Sequence, residues 1–397
     1  MTEPRNPVVI VGAARTPIGA FLGEFREVSA PMLGAAAIAG AVARAGLPAE
    51  IVDEACMGCV LQAGLGQAPA RQAALGAGLS EATPCVTINK MCGSGMKAIM
   101  LAHDALLAGS ARAVVAGGME SMSNAPYLLD RARTGYRMGH GRIIDHMFLD
   151  GLEDAYEKGR LMGCFAEDCA SAFQFTRKEQ DAFALASLER ARRAAAEGEL
   201  DAEIAPVSIV GRKETREVRA DETPQRADAD EIPKMKPAFA PEGTITAANA
   251  SKISDGAAAL VLTTVATAER LGLAPLATVV GHATHAAAPR DFPTAPIGAI
   301  EKLMMRIDWT RDSVDLFEIN EAFAVVVMAA MRELGLAHAK VNVRGGACAL
   351  GHPIGASGAR IVVTLLAALQ ARGLRRGVAA LCIGGGEATA LAIERWI

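Results

Sequence analysis

The chain carries the same supersecondary pattern twice, and that repeat narrows the folds open to it. In the first half, Cys85–Asn89 (CVTIN) reads as a strand. Gly93-Ser94-Gly95 follows, then a small-residue helix to about Ala108 with Ile99, Ala102 and Leu106 on its apolar face. The unit closes with a strand at Ala113–Ala116 and Gly117-Gly118-Met119-Glu120. In the second half, a strand at 341–343 precedes Ala356-Ser357-Gly358 and the apolar helical run Ile361–Leu369. A strand at Gly377–Ile383 then ends in Gly384-Gly385-Gly386-Glu387. Units of strand, loop, helix and strand require a right-handed crossover and parallel pairing. Two of them predict an α/β molecule whose similar halves present their active loops on one side.

The remaining segments fit around these units. Pro7–Ala13 (PVVIVGA), Asp255–Leu262, a segment opening at Leu276 and Val314–Ile319 read as buried strands, and Pro31–Ala45 as a helix closed by Gly46 and Pro48. Between Ser121 and Ala248 charged and turn-forming residues dominate. One strong helix interrupts them, opened by the capping box Thr176-Arg177-Lys178-Glu179 and running to Gly198. The expected organisation is a first half of residues 1–120 plus 249–275, an inserted segment at 121–248, and a second half at 276–397.

Composition removes several classes of function. Of 397 residues, 51% are hydrophobic and 21% charged, which describes a globular chain with a large core. A net charge of −4 supplies no global field for nucleic acid. No apolar run approaches a membrane span, and the opening MTEPRNPVVI lacks the long apolar region of a signal peptide. Eight scattered cysteines in a chain of this size favour free thiols in a reducing compartment. The expectation is a cytoplasmic protein without membrane or nucleic-acid partners.

Two places carry chemistry. Arg344–Arg360 (RGGACALGHPIGASGAR) is dense in glycine and nearly free of bulky side chains, so backbone can approach a ligand closely. His352 lies at its centre, followed by Pro353, at the start of a helix. A lone histidine is more often a core or surface residue than a catalyst, and this one needs a nucleophile to serve. Cys92 is the candidate: it stands at a strand-to-helix junction, where helix N–H groups and the macrodipole are expected to lower a thiol's pKa. By the repeat, Cys92 would face His352 and Cys382 across the junction of the halves. Cys56 and Cys59 form a C-x-x-C with no second ligand pair, so no metal site is expected there. They, with Cys85, Cys164, Cys169 and Cys348, read as packing residues, and His103, His140, His146, His282, His285 and His338 as surface or loop residues.

Taken together, Asn89-Lys90-Met91-Cys92-Gly93-Ser94-Gly95, Asn249-Ala250-Ser251, Asn320-Glu321-Ala322-Phe323-Ala324, Gly351-His352-Pro353-Ile354-Gly355-Ala356-Ser357-Gly358 and Cys382-Ile383-Gly384-Gly385-Gly386 resemble the thiolases over nearly the whole chain. The resemblance implies a layered α-β-α-β-α fold of two similar halves with an inserted loop domain. It implies acyl exchange between coenzyme A thioesters, with no permanently bound cofactor. Cys92 would take an acyl group as a thioester. His352 would accept the thiol proton and, with a water held by Asn320, polarise a thioester oxygen. Cys382 would exchange the proton of the α-carbon, and the N–H groups of Cys92 and Gly384 would hold the oxyanion of the tetrahedral intermediate. Ser251 and Phe239 would meet the pantetheine arm. The resemblance also implies a homotetramer or homodimer, with 121–160 as a tetramerisation segment.

Three positions depart from the family pattern. Leu161, before Met162-Gly163, stands where many short-chain thiolases have histidine, and Phe292 where a methionine is common. Both are expected beside the acyl pocket, which makes acetoacetyl-CoA the first substrate expectation and a longer or aromatic 3-ketoacyl chain the alternative. Glu387 replaces a common glutamine. Two rivals are weaker. A ketosynthase would want no thiol at Cys382, and a non-catalytic acyl-CoA-binding relative would lack one of Cys92, His352 and Cys382. No G-x-G-x-x-G follows the first strand, which removes a dinucleotide site.

Overall fold

A computed structural model describes residues 6–211 and 214–396. The opening residues 1–5, part of the stretch read as lacking a leader, lie outside it. The strands that organise the protein are β1 (Val8–Arg15), β2 (Glu54–Gly58), β3 (Cys85–Ile88), β4 (Ala113–Ser121), β5 (Ser254–Thr264), β6 (Ala277–Ala286), β7 (Leu316–Ile319), β8 (Arg376–Ile383) and β9 (Glu387–Arg395). They follow the order β7-β8-β9-β6-β1-β5-β4-β2-β3, and the short strand Gly19–Ala20 pairs with β5 as a tenth. Read outward from the centre, the order is the same on both sides. β6, β9, β8 and β7 repeat β1, β5, β4 and β2.

The predicted repeat is present, with one change. β2 pairs in parallel with both β3 and β4, and β7 pairs in parallel with β8. The strand expected at 341–343 is reduced to a single parallel bridge between Phe317 and Val341. Asn342 accounts for this: at φ 48° it turns out of the extended region and caps Ile319 through both ends of its amide. The halves meet at a thin seam, Val9 opposite Thr278 and Ile10 opposite Ala277.

Alternating residues divide the sheet into two faces. Val8, Ile10, Val114, Ala116, Leu260 and Leu262 of the first half, with Ala277, Val279, Ala379, Leu381, Leu391 and Ile393 of the second, join one cluster. That cluster is built around two helices, α2 (Ser94–Ala108) and α7 (Ile354–Ala371). The opposite faces pack on α1 (Ala30–Ala45) in the first half and on α5 (Ala295–Ile307) and α6 (Ala324–Leu334) in the second. Helix, sheet, central helices, sheet and helix form the five layers of the expected α-β-α-β-α fold.

Helix α7 corrects two sequence expectations. It begins at Ile354, so Gly355, Ser357 and Gly358 belong to its first turns instead of to a loop. Among the described residues it is also long and apolar enough to cross a membrane by length and composition, with 89% of the segment buried inside the protein. The alanines and glycines of this run are what let α7 pack so tightly. A Cβ on Gly358 would lie 2.5 Å from the Met96 nitrogen, and one on Gly118 2.1 Å from the Gly355 oxygen. The capping box at Thr176 forms as predicted and opens α4 (Arg177–Ala196). Between β4 and β5 the chain leaves the sheet, supplying α3 (Met162–Ala172), α4 and a five-residue π-helix at Phe148–Leu152.

Candidate active site

Cys92 lies on a turn whose shape is fixed by its neighbours. Met91 adopts φ 47°, and its N–H donates to Asn89 Oδ1 at 3.0 Å. Ser94, the first residue of α2, accepts from Lys90 N–H at 2.8 Å and donates to the Met91 carbonyl at 2.6 Å. Every polar group of Asn89-Lys-Met-Cys-Gly-Ser named here closes the turn that holds Cys92. The expected lowering of the thiol's pKa is overturned. Burial pushes Cys92 up to about 11, even though the N–H groups of Gly384 and of Cys92 itself favour the thiolate. Desolvation outweighs two favourable dipoles here.

His352 stands immediately before the first turn of α7, and its side chain is 6% exposed. Its backbone N–H donates to the Lys252 carbonyl at 2.9 Å, which ties it to the Ser251 loop. Ser357 Oγ donates to the Pro353 carbonyl at 3.0 Å and lies 2.5 Å from His352 Nδ1, so it accepts a hydrogen bond from that nitrogen. Nδ1 therefore carries the proton and Nε2 the lone pair. Nε2 is buried without a partner. Burial and then the charge of Arg360 lower the ring's pKa to about 3, so the imidazole is neutral at physiological pH.

Asn320 follows β7 directly, fully buried, and its Nδ2 is a second buried polar atom without a partner. Two orphaned groups of this kind are costly in a closed core and are expected where a ligand or water belongs. Cys382 ends β8 and is 1% exposed. Burial, then the nearness of Cys92, raises its thiol well above the usual range. The glycines that follow turn the chain into β9, with Gly385 at φ 95° and Gly386 at φ 88°. A Cβ on Gly386 would strike the Ala288 carbonyl at 2.5 Å, so this turn admits no larger residue.

An apolar cavity of about 530 Å³ adjoins this centre, lined in part by Leu161, Met162, Phe239, Ser251, Phe148 and Leu152. Met162 links the two: its sulfur would lie 3.6 Å from a Cβ placed on Gly384. Leu161, Met162, Phe239 and Ser251 all line this cavity. Phe292 does not. It is 3% exposed and packs edge-on against Phe165 and Phe323 at 6.2 and 6.4 Å, behind the cavity wall instead of on it. Glu387, unexplained in sequence, forms an ion pair with Lys90 across the nucleophile turn.

Sequence reasoning missed three buried groups. Glu120 accepts from the N–H groups of Val60, Leu61 and Gly355 at 2.8–3.1 Å, joining β4 to the first turn of α7. Its signal was the Glu that closes both Gly117-Gly118-Met119-Glu120 and Gly384-Gly385-Gly386-Glu387 in the repeat. Ser357 was quoted but given no role. Arg360 stood as the one charge at the head of an apolar run, which marks a buried, paired cation. Among the histidines, His103 and His146 are buried in place of exposed. His103, Asp104 and His282 bring three possible metal-ligating atoms within 4.8 Å of one another, away from the cavity. His103 Nδ1 and His282 Nε2 already bond Asp104 Oδ1 at 3.2 and 2.9 Å, which accounts for the cluster without an ion.

Known proteins share this architecture. Residues 8–266 match the family described as Thiolase, N-terminal domain, and residues 273–395 the family described as Thiolase, C-terminal domain. A probable acetyl-CoA acetyltransferase of Dictyostelium discoideum is 50% identical over 98% of this chain and 94% of its own length. The acetyl-CoA acetyltransferase of Cupriavidus necator is 49% identical over 98% and 99%. The mitochondrial enzyme of Mus musculus is 49% identical over 98% and 91%. The crystal structure of the Bacillus anthracis acetyl-CoA acetyltransferase superposes with a TM-score of 0.96 at 41% identity, covering 98% of this chain and 99% of that one.

Proposed function

This chain belongs to the thiolase family, and from that membership we propose that it is an acetyl-CoA C-acetyltransferase joining two acetyl-CoA reversibly into acetoacetyl-CoA and CoA. The observation that carries the proposal is the pair of unpartnered buried atoms, His352 Nε2 and Asn320 Nδ2, and the reading is supported by the nearness of the Cys92 and Cys382 thiols to each other and by an apolar cavity that Met162 connects to Gly384. The relatives' shared name weighs against the longer-chain alternative.

The proton balance follows from the arrangement. Cys92 Sγ attacks the first thioester carbonyl and passes its proton to the lone pair on His352 Nε2. The N–H groups of Cys92 and Gly384, already aimed at the sulfur, receive the oxyanion of the tetrahedral intermediate. As the intermediate collapses, the departing CoA sulfur takes its proton from Cys382, leaving a thiolate of high basicity. That thiolate removes the α-proton of the second acetyl-CoA while His352 Nε2–H and a water held on Asn320 Nδ2 stabilise the enolate oxygen. The carbanion attacks acetyl-Cys92 and the Cys92 sulfur leaves, recovering its proton from His352. A ring whose environment disfavours the cation returns that proton readily.

Ser251 and Phe239 line the pantetheine arm's route in this reading, and Leu161 and Met162 border the acyl end. Substrates are acyl-CoA thioesters, with no permanently bound cofactor. We keep the division at 121–248, supported by the chain's departure from the sheet after Ser121 and return at Ser254. Assembly as a homotetramer, or a dimer, is supported by the large apolar residues exposed on that segment, Met138 at 98% and Ile143 at 71% among them. A cytoplasmic location is supported by eight cysteines all free. Sedimentation and cell fractionation test these two points.

The deciding assay is thiolysis of acetoacetyl-CoA by CoA, followed at the enolate absorbance, for the native protein and Cys92→Ala. Activity in the first and none in the second is expected. Cleavage of longer 3-ketoacyl-CoAs alone would move the assignment to the alternative, and inactivity on every chain length would remove the enzyme reading.

A further inference from the structure

The first two turns of α7 place Ser357 and Arg360 three residues apart, on one helix face. Ser357 settles the orientation of His352, as described above. Arg360 occupies the corresponding position toward Asn320. Its guanidinium is 2% exposed, donates through Nη1 to Glu318 Oε1 at 2.9 Å, and reaches Asn320 Oδ1 through Nη2 at 3.5 Å. Its Nε has no partner. Glu318 and Asn320 are two residues apart at the end of β7, so they share a face of the strand and meet the same guanidinium.

We infer that Arg360 is a positioning residue, held by Glu318, that fixes which end of the Asn320 amide faces the reacting thioester. An amide has two ends of nearly equal size and opposite polarity. With a guanidinium on one side, the end turned toward it must be the carbonyl, because the reverse would set an NH₂ donor against a cation. The NH₂ end then faces the other way, and Nδ2 is the atom left unpartnered. The contact at 3.5 Å is long for a hydrogen bond, but charge–dipole preference between two buried groups acts at that distance. Were the amide reversed, a carbonyl lone pair would face the developing enolate oxygen and repel it. The same charge adds to burial, the larger cause, in holding His352 neutral at rest. One helix face therefore sets the polarity of both groups proposed to stabilise the enolate.

The inference rests on the proposed reaction, and its test separates the two. Two partial reactions are measured on the native protein and on Arg360→Lys, which keeps a cation for Glu318 but loses the fork. One is exchange of the methyl protons of acetyl-CoA with deuterated water, which needs the enolate. The other is acetylation of Cys92, followed by mass, which uses the N–H pair at Cys92 and Gly384. Arg360→Lys is expected to slow exchange about 10²- to 10³-fold, the range for a lost oxyanion donor, while acetylation stays within about threefold. An equal fall in both reactions, or no fall in either, overturns the inference. If Arg360→Lys does not fold, the uncharged pair Glu318→Gln with Arg360→Gln takes its place under the same criterion. A native protein inactive in both reactions removes the proposed function itself.

Discussion

Nδ1 of His352 donates to Ser357 Oγ at 2.5 Å while that hydroxyl donates onward to the Pro353 carbonyl. The tautomer of the ring is thus decided by a backbone oxygen one residue away, which is part of the helix start. Removing the hydroxyl leaves Nδ1 without an acceptor and frees the ring to adopt the other tautomer. Ser357→Ala is expected to lower kcat for acetoacetyl-CoA thiolysis about 10²-fold, the usual worth of a positioned general base. KM for CoA should stay near the native value. A loss confined to KM would assign Ser357 to packing alone.

The resting site holds a neutral thiol at Cys92 and a neutral imidazole at His352, not an ion pair. Burial pushes Cys92 up to about 11 and His352 down to about 3, so proton transfer between them is unfavourable before substrate arrives. The rate of alkylation of Cys92 by iodoacetamide is therefore expected to climb about tenfold per pH unit between pH 7 and 9 without levelling, because only the thiolate reacts. A plateau from pH 6 to 8 would indicate a preformed thiolate–imidazolium pair.

Glu120 gives a stability prediction of definite sign. Burial raises its pKa to about 7, above the ordinary glutamate value of 4.5. Between those values the folded state binds the extra proton, so this group's contribution to stability falls as pH rises through the window. Glu120→Gln retains an acceptor but does not titrate. Relative to the native protein it is expected to gain in urea midpoint on going from pH 5 to pH 8, and comparing the two chains cancels the other buried acids. A difference that is flat with pH would show that Glu120 keeps one protonation state throughout.

The roof of the cavity offers a specificity test. A Cβ on Gly163 would meet the Phe239 ring at 2.3 Å. Gly163→Ala must displace the ring, which itself packs edge-on to Phe323 at 6.1 Å. Overpacking of this kind costs about 1–3 kcal/mol in stability. KM for the CoA thioester should rise about tenfold if the displaced ring narrows the route of the pantetheine arm, with acetylation of bound substrate little changed. Calorimetric melting and steady-state kinetics read the two effects separately.

The fold was legible in sequence wherever a repeat or a motif fixed local geometry. The first strand–helix–strand unit, the helix and closing strand of the second, the Thr176 capping box and the turn at Cys92 all follow from short-range rules. The extent of α7 was not, because Gly355 and Gly358 in its first turns are poor helix formers and the helix owes its burial to partners far along the chain. Electrostatics misled for the same reason. A helix terminus can be read from neighbouring residues, whereas the desolvation of Cys92 depends on what the second half lays over it. Register put Phe292 beside the acyl pocket, and its neighbours Phe165 and Phe323 show that it stands one layer behind the lining. Glu120 and Arg360 act through contacts 235 and 40 or more residues away, beyond any local signal.

The seam between the halves has a consequence for how this protein tolerates change. Val9 with Thr278 and Ile10 with Ala277 pair across the two sheet halves, and the Leu276 N–H donates to the Ile10 carbonyl, while α2 and α7 meet through close backbone approach at Gly95 and Gly358. The sulfur at Cys92 comes from one half, and His352 and Cys382 come from the other. Substitutions on the outer helices of one half should then be nearly blind to those on the other. Along the α2–α7 contact the acceptable residues on each side depend on the other, so the two repeats are free to drift apart in sequence everywhere except where they touch. A combinatorial library across that contact would record this as strong epistasis confined to a narrow strip through the centre of the molecule.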